Sequence, residues 1–331
     1  MKVAIYGIGN FGYALLKHLD NKKDSSMVIT AYDRKEKLRD SLSTHRSHTL
    51  LHKTIKISER IIIASSVKEL VDDADILVLA ANSEATREVV ATIKPYLSKN
   101  AIIVNTAKAL DFKTGKRLSE IIFQELGDEK KEYALFAGGT IAKDLFNHYP
   151  LGAEIACKNM KQHERLAACF STPNLHIHTT SDLIGVEYAS AFKNVISILA
   201  GIISGLGLPY GTETHVISQV AQEIEEIVTK KLGGSKTTFR MGSQCWGNDM
   251  WMSCTGPTRN REFGVLLGNG HAVDEAKAIM TMNNKTVEGI NTISVLDKVI
   301  PNLQDHFYMN FLYECVYLQR QTSKQIKDLW K

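Results

Sequence analysis

Cysteine is scarce in this chain of 331 residues: Cys157, Cys169, Cys245, Cys254 and Cys315 are the five present, and none forms a C-x-x-C pair. An odd count without that spacing argues against a disulfide framework and for a reducing compartment. Charge of one sign is also scarce. Net charge is +4 and no Lys/Arg cluster dominates, so the composition gives no case for nucleic acid and leaves anionic small molecules open. Long hydrophobic runs are missing as well. The longest, Val195–Tyr210, holds two serines and three glycines and is too short and too interrupted for a membrane span. The first residues run into a strand pattern without a basic leader or cleavage site, so a soluble cytoplasmic protein is expected. Internal repeats and low-complexity tracts are absent.

The histidines do not build a metal site. His45, His48 and His52 stand at helical spacing, but no fitting carboxylate or cysteine joins them, and an exposed polar helix face is expected. His176 and His178 alternate on an expected strand and read as structural. No Ser/His/Asp or Cys/His order suggests a nucleophilic hydrolase.

Hydrophobic residues at 44% and charged residues at 23% are an ordinary globular balance, and the length suits two domains. Val3–Tyr6, Val28–Tyr32, Ile76–Ala80, Ile102–Asn105 and Ala134–Ala137 are short apolar runs, as buried parallel strands are. Leu175–His178 is a further candidate. Helix-like segments such as Gly12–Asp20 and Ala85–Tyr96 lie between them. This alternation predicts an α/β fold, a Rossmann-type doubly wound sheet over residues 1–181. After Asp182, a plausible N-cap, strand signals stop. Gly185–Ser204, His215–Leu232, Asp274–Asn283 and Gln304–Lys331 have helical periodicity, so residues 182–331 are expected to form an all-helical substrate-binding and catalytic domain.

Gly7-Ile8-Gly9-Asn10-Phe11-Gly12 follows the first strand and opens a helix, the context that G-x-G-x-x-G requires. Gly7 permits the turn, Gly9 lets a pyrophosphate approach the backbone, and Gly12 lets helix and strand pack closely. The helix N-terminus supplies amide donors to the phosphates. Asp33, at the end of the next strand, stands where an acid binds the ribose hydroxyls of NAD. Arg34 and Lys35 follow and could accept the 2′-phosphate of NADP. The acid favours NAD, and NADP stays open.

Lys193 is the only charged residue among the 25 positions from Tyr188 to Thr212. A lysine is rarely buried without a partner, and burial lowers its pKa, so this one is a candidate for acid–base chemistry rather than a snorkelling side chain. Lys108 lies just past the end of an expected strand, the edge where ligands bind in open α/β sheets. Gly138-Gly139-Thr140 also follows a strand and is expected to open a helix with Thr140 as N-cap, leaving amides free for an anion. Trp246–Gly264 reads as a Gly/Pro-interrupted loop holding Asp249, Ser253, Thr258, Arg259, Asn260 and Arg261. Its Arg-Asn pair suits a phosphate, and Asp249 is a candidate charge partner for Lys193.

GIGNFG, NSEATREVV (Asn82–Val90), NTAKAL, GGTIAKDL, GVEYASAFKNVISILAGI and TRNREFG occur in that order. With this set the chain resembles the NAD(P)-dependent glycerol-3-phosphate dehydrogenases, the soluble bacterial and eukaryotic type, from about Val3 to Val295. The resemblance implies reversible hydride transfer between NAD(P)H and dihydroxyacetone phosphate, supplying glycerol 3-phosphate for phospholipid synthesis. It implies that Lys193, Lys108 and Asp249 are catalytic. It implies that Lys108, Gly138, Thr140, Asn194, Ser253, Thr258, Arg259 and Asn260 meet the substrate. Gly7, Gly9, Asn10, Phe11, Gly12, Asp33, Arg34, Lys108, Ala142, Arg259 and Glu288 would meet the cofactor, and a homodimer is implied.

Departures from the family pattern are Ala109 for glycine, Gly139 and Thr140 for proline and serine, Asn248 and Met250 on either side of Asp249, Ser253 for threonine, and Phe11 for tryptophan. Residues 307–331 follow it least; they could pack on the helical domain or form a subunit contact. The rival readings are a two-domain dehydrogenase of the 6-phosphogluconate or ketopantoate type and a catalytically silent NADH sensor. Lys108, Lys193, Asp249 and Arg259 together argue against the sensor, which needs the glycine loop alone.

Overall fold

The computed structural model describes residues 1–320. The chain divides into two compact units: Met1–Ala107 with Leu118–Leu183, and Lys108–Arg117 with Ile184–Lys331.

The first unit is an eight-stranded sheet. Its strands are β1 Lys2–Tyr6, β2 Val28–Tyr32, β5 Ile61–Ile63, β6 Ile76–Leu79, β7 Ile102–Asn105, β8 Tyr133–Ala137, β9 Leu151–Cys157 and β10 Leu175–Thr180, and a separate hairpin pairs β3 Ser47–His48 with β4 His52–Lys56. The order across the large sheet is β10-β9-β8-β7-β6-β1-β2-β5. All its pairings are parallel except β8 with β9. β1 lies between β2 and β6, so the chain reverses its direction of travel across the sheet there, and the carboxyl ends of β1 and β6 flank the switch point where such sheets bind ligands. Val3, Ile5, Ile76, Val78, Ile102 and Val104 are fully buried, which is why these strands are continuous apolar runs. The helices of this unit are α1 Asn10–Asn21, α2 Glu36–His45, α3 Val67–Val71, α4 Thr86–Ile93, α5 Leu118–Leu126, α6 Ala142–Phe146 and α7 His163–Phe170.

The expected exposed helix through His45, His48 and His52 is not formed. His45 ends α2, whereas His48 and His52 lie on the hairpin, and His48 is buried edge-on against Tyr13. His48 and His52 are instead cross-strand partners on either side of the tight turn at residues 49–51, so a spacing of four that suits a helix face is here the span of a hairpin turn.

The second unit is helical: α8 Leu183–Gly205, α9 Tyr210–Ile227, α10 Asp249–Thr255, α11 Arg259–Gly268, α12 Val273–Met282, α13 Glu288–Ile293, α14 Leu296–Val299 and α15 Phe307–Leu312. By length and composition α8 could cross a membrane, but its apolar window is wholly buried inside the structure, as a core helix is. Glycines let α8 and α11 touch backbone to backbone. A Cβ on Gly201 would meet the Arg261 carbonyl oxygen at 2.1 Å, and one on Gly264 would meet that of Ile198 at 2.0 Å. Gly205 and Gly268 repeat the contact one turn on. This approach fixes α11 along the C-terminal third of α8.

A single boundary at residue 182 leaves out one segment. Lys108–Arg117 packs with the helical unit: Leu110 bridges Arg117, Arg117 pairs with Glu187 at 3.1 Å, and Gly115, at φ +73°, lies where a Cβ would meet Val299 at 2.8 Å. The expected helix Gln304–Lys331 is broken. Leu303–Asp305 is a 3-10 turn, α15 follows, Tyr313–Tyr317 is a π-turn, and residues 321–331 lie outside the described residues.

Candidate functional site

In the first unit the glycine loop joins β1 to α1. Gly7 has φ +94°, and a Cβ there would meet the Ala80 carbonyl oxygen at 2.8 Å. A Cβ on Gly12 would meet the Gly7 oxygen at 2.0 Å, so both glycines are required by packing. Gly9 differs, because a Cβ there would meet nothing within 4 Å. It is the N-cap of α1 and offers no side-chain cap, so open space lies beside the start of a twelve-residue helix. That is the form a dinucleotide pyrophosphate needs, and the residues fit the group. Asp33 closes the loop from β2: its Oδ2 accepts from Ile8 N–H at 2.8 Å and its Oδ1 from Lys35 N–H at 3.0 Å. Arg34 is exposed and 3.7 Å from Glu88. Phe11, in the first turn of α1, packs on Phe136 with ring centres 6.0 Å apart.

The turn after β8 departs from expectation. Ile141, with extended backbone, is the N-cap of the five-residue α6, which begins at Ala142. Thr140 instead makes a tight turn, its N–H donating to the Gly138 oxygen at 2.7 Å, with Gly138 at φ +117°. The buried Thr140 hydroxyl has no hydrogen-bond partner among the described residues, so it is not the cap of α6.

In the second unit the structure brings Lys108, Lys193, Asn194, Asp249, Ser253 and Asn260 into one hydrogen-bonded cluster. The Lys193 ammonium donates to Asp249 Oδ1 and to Ser253 Oγ, each at 2.9 Å. Lys108 donates to the other oxygen, Asp249 Oδ2, at 2.9 Å. Asp249 is completely buried and Lys193 is 7% exposed. Asn194 donates to the Lys108 carbonyl oxygen at 3.3 Å and accepts from Asn260 Nδ2 at 2.9 Å. Asn260 Oδ1 accepts from Gly289 N–H at 3.0 Å, which ties in α13 beside Glu288. The Arg259-Asn260 pair is not in a loop, as expected, but opens α11, because the break at Gly256-Pro257 is short and α10 and α11 flank it. Arg259 is exposed and forms no ion pair among the described residues.

Burial pushes the Lys193 pKa down, Asp249 opposes this, and Lys108 adds to it; the net direction is below the ordinary 10.5. Burial pushes the Asp249 carboxyl up, but the charges and hydrogen bonds of Lys108 and Lys193 outweigh it and hold it below the usual carboxylate value. Asp249 therefore stays ionised and orients both lysines. An ammonium has three donors. With one on Asp249 and one on Ser253, Lys193 keeps a third proton to give.

Ser197 and Glu213 carry no local sequence signal, and they act with Thr258 and Arg261, which the sequence did single out. Ser197 Oγ and Thr258 Oγ1 both donate to the Ser253 carbonyl oxygen, at 2.6 and 2.7 Å, so Thr258 holds the end of α10 to the start of α11. Arg261 donates to the Cys254 carbonyl and pairs with buried Glu213 at 2.8 Å. The i,i+4 glycines of α8 and α11 were visible in the sequence and mark the close helix contact. A cavity of about 670 Å³ between α9 and the opposite face of α10, lined by Met250, Trp251 and Cys254, contains none of the clustered groups.

An open sheet with a glycine turn at its switch point, and a helical unit that buries a lysine on a carboxylate, define a two-domain dinucleotide-dependent oxidoreductase. Family comparison narrows this. The model for the NAD-dependent glycerol-3-phosphate dehydrogenase N-terminus matches residues 2–163, and that for the C-terminus matches residues 182–330. The chain is similar to the glycerol-3-phosphate dehydrogenase [NAD(P)+] of Fusobacterium nucleatum, at 34% identity over 88% of this chain and 84% of the relative. The same enzyme of Syntrophomonas wolfei is 29% identical over 100% and 94%. In fold, the glycerol-3-phosphate dehydrogenase crystal structure from Coxiella burnetii covers 100% of this chain and 98% of its own, at 20% identity and a TM-score of 0.86. The chain belongs to the NAD-dependent glycerol-3-phosphate dehydrogenase family.

Proposed function

We propose that this protein catalyses the reversible NAD(P)H-dependent reduction of dihydroxyacetone phosphate to sn-glycerol 3-phosphate, supplying the latter for phospholipid synthesis. The observation that carries the reading is Lys193, buried in an apolar helix with its ammonium on Asp249 and Ser253. The nicotinamide, when bound, supplies or accepts the hydride. Lys193 gives a proton to the carbonyl oxygen in reduction and takes one from the hydroxyl in oxidation. An unshifted lysine is a poor base near neutral pH, and burial with Lys108 nearby moves its pKa in the direction that base catalysis needs. Asp249 fixes the lysine's direction, and Lys108, on the same carboxylate, adds positive charge for an anionic substrate. Arg259 offers a permanently charged donor fork for the phosphate, with Asn260 beside it. Asp33 on the glycine loop supports NAD over NADP. A cytoplasmic homodimer belongs to the same reading, on the family resemblance.

The test is to follow NADH and NADPH oxidation in parallel with dihydroxyacetone phosphate. Oxidation is expected with both, faster with NADH. Failure of both cofactors with this ketone, and activity with a ketopantoate-type substrate, would replace the reading.

A further inference from the structure

The β3–β4 hairpin touches the glycine loop through one residue that lies outside the glycine fingerprint. His52 Nε2 lies 2.6 Å from Asn10 Oδ1. The imidazole is held on other sides. Its ring centre is 4.4 Å from that of Phe146 and it stacks nearly parallel to Tyr13 at 6.0 Å. The Tyr13 hydroxyl donates to the Ile55 carbonyl at 2.5 Å and pins β4, and His48 Nδ1 accepts the Leu51 amide at 3.2 Å, which shapes the hairpin tip. His52 therefore has a fixed place from which to hold Asn10.

Asn10 is exposed and is the first residue of α1, next to the open side of Gly9. A carboxamide has an acceptor end and a donor end, whereas a phosphate oxygen only accepts. An imidazole N–H facing Oδ1 commits the acceptor end to the hairpin. The amino end is then the one left for a ligand. Without the imidazole the carboxamide is free to turn its oxygen toward an anion and repel it.

We propose that His52 is a positioning residue for the dinucleotide diphosphate: by holding Asn10 Oδ1 it presents Asn10 Nδ2 as a donor beside Gly9. This rests on the cofactor reading above. It adds to the backbone amides of α1 a side-chain donor whose orientation is set from a separate element of the fold.

The test is equilibrium titration of the full chain with NADH and NADPH, without substrate, read by cofactor fluorescence. His52→Phe keeps an aromatic ring against Tyr13 and Phe146 and removes the donor; it should weaken binding roughly three- to tenfold, the worth of one hydrogen bond. His52→Gln, which can still donate to Oδ1, should recover most of that. In an Asn10→Ala background His52→Phe should change the dissociation constant by less than about twofold, since no carboxamide remains to be positioned. A merely structural histidine would cost the same in both backgrounds, and that result, or unchanged affinity in His52→Phe, overturns the proposal. If His52→Phe does not fold, Asn10→Ala alone decides, because unchanged affinity there also overturns it. Failure of the unsubstituted protein to bind either cofactor would refute the cofactor reading itself.

Discussion

At the glycine loop side chains are missing, while around Lys193 they are crowded together. The loop works because Gly9 has nothing within 4 Å of where a Cβ would stand, and its neighbours Gly7 and Gly12 have no room for one. The cluster works because two lysines share one fully buried carboxylate. The first arrangement tolerates almost any surroundings once the backbone path is set, and it offers donors without needing a charged side chain. The second depends on exact partners from four separated stretches of chain. Substitutions should therefore fail differently in the two places: by steric exclusion in one, by unbalanced charge in the other.

Removing the ammonium is expected to have the largest effect. Lys193→Ala should lower kcat by about 10²- to 10⁴-fold, the usual worth of a positioned acid–base group, while the NADH dissociation constant stays within about twofold. Turnover within about tenfold of the starting protein would take Lys193 out of the proton-transfer role. Arg259→Ala comes next. It should raise the apparent KM for dihydroxyacetone phosphate roughly 10- to 100-fold through loss of a charge-assisted contact, with a smaller change in kcat. An unchanged KM would move the phosphate anchor elsewhere.

The loop gives a sharper contrast within three residues. Gly9→Ala should leave the melting temperature nearly unchanged, because the new methyl meets open space, yet weaken cofactor binding roughly tenfold by keeping a diphosphate off the backbone amides. Gly12→Ala should lower the melting temperature, because its Cβ would fall 2.0 Å from the Gly7 oxygen. Equal melting temperatures for the two variants would contradict the packing described.

The difference between the regions also explains what the sequence made legible. β1, β2, β6, β7 and β8 were readable because burial on both faces leaves uninterrupted apolar runs. β9 was not: Leu151–Cys157 carries the buried Glu154 and pairs antiparallel with β8. The hairpin was hidden because the four-residue spacing of His48 and His52 suits one face of a helix, whereas in the structure it spans a tight turn between paired strands. The glycine loop is a local signal and was found complete. In the cluster, Lys193 stood out by its solitude in an apolar run and Asp249 could be named as its partner. Ser197 on the Ser253 carbonyl and Glu213 on Arg261 could not, because a serine in an apolar helix and a glutamate among other polar helix residues are ordinary where they stand, and nothing in either segment announces a partner. Lys108 belongs to the helical unit although it follows a strand of the sheet, since the packing of its segment decides and periodicity does not reach that far.

The subtlest effect concerns pH. In the oxidation direction Lys193 must be unprotonated, so kcat/KM should rise with pH through its pKa, which lies below the ordinary 10.5. Four influences set that value: burial lowers it, Asp249 raises it by charge and hydrogen bond, Lys108 lowers it, and Glu288 raises it least. Asp249→Asn deletes the one strong raising influence while keeping the side chain's size and one acceptor. Burial and Lys108 are then opposed only by the weaker charge of Glu288, and the inflection should move to lower pH. In the reduction direction the protonated form is required, so the same variant should lose activity with rising pH earlier than the starting protein does. Both shifts have the same sign because both report one group. A purely structural Asp249 would lower the plateau rate in each direction without moving either inflection. Movement to higher pH would mean that the titrating group is not Lys193, because losing a neighbouring anion cannot raise a lysine's pKa.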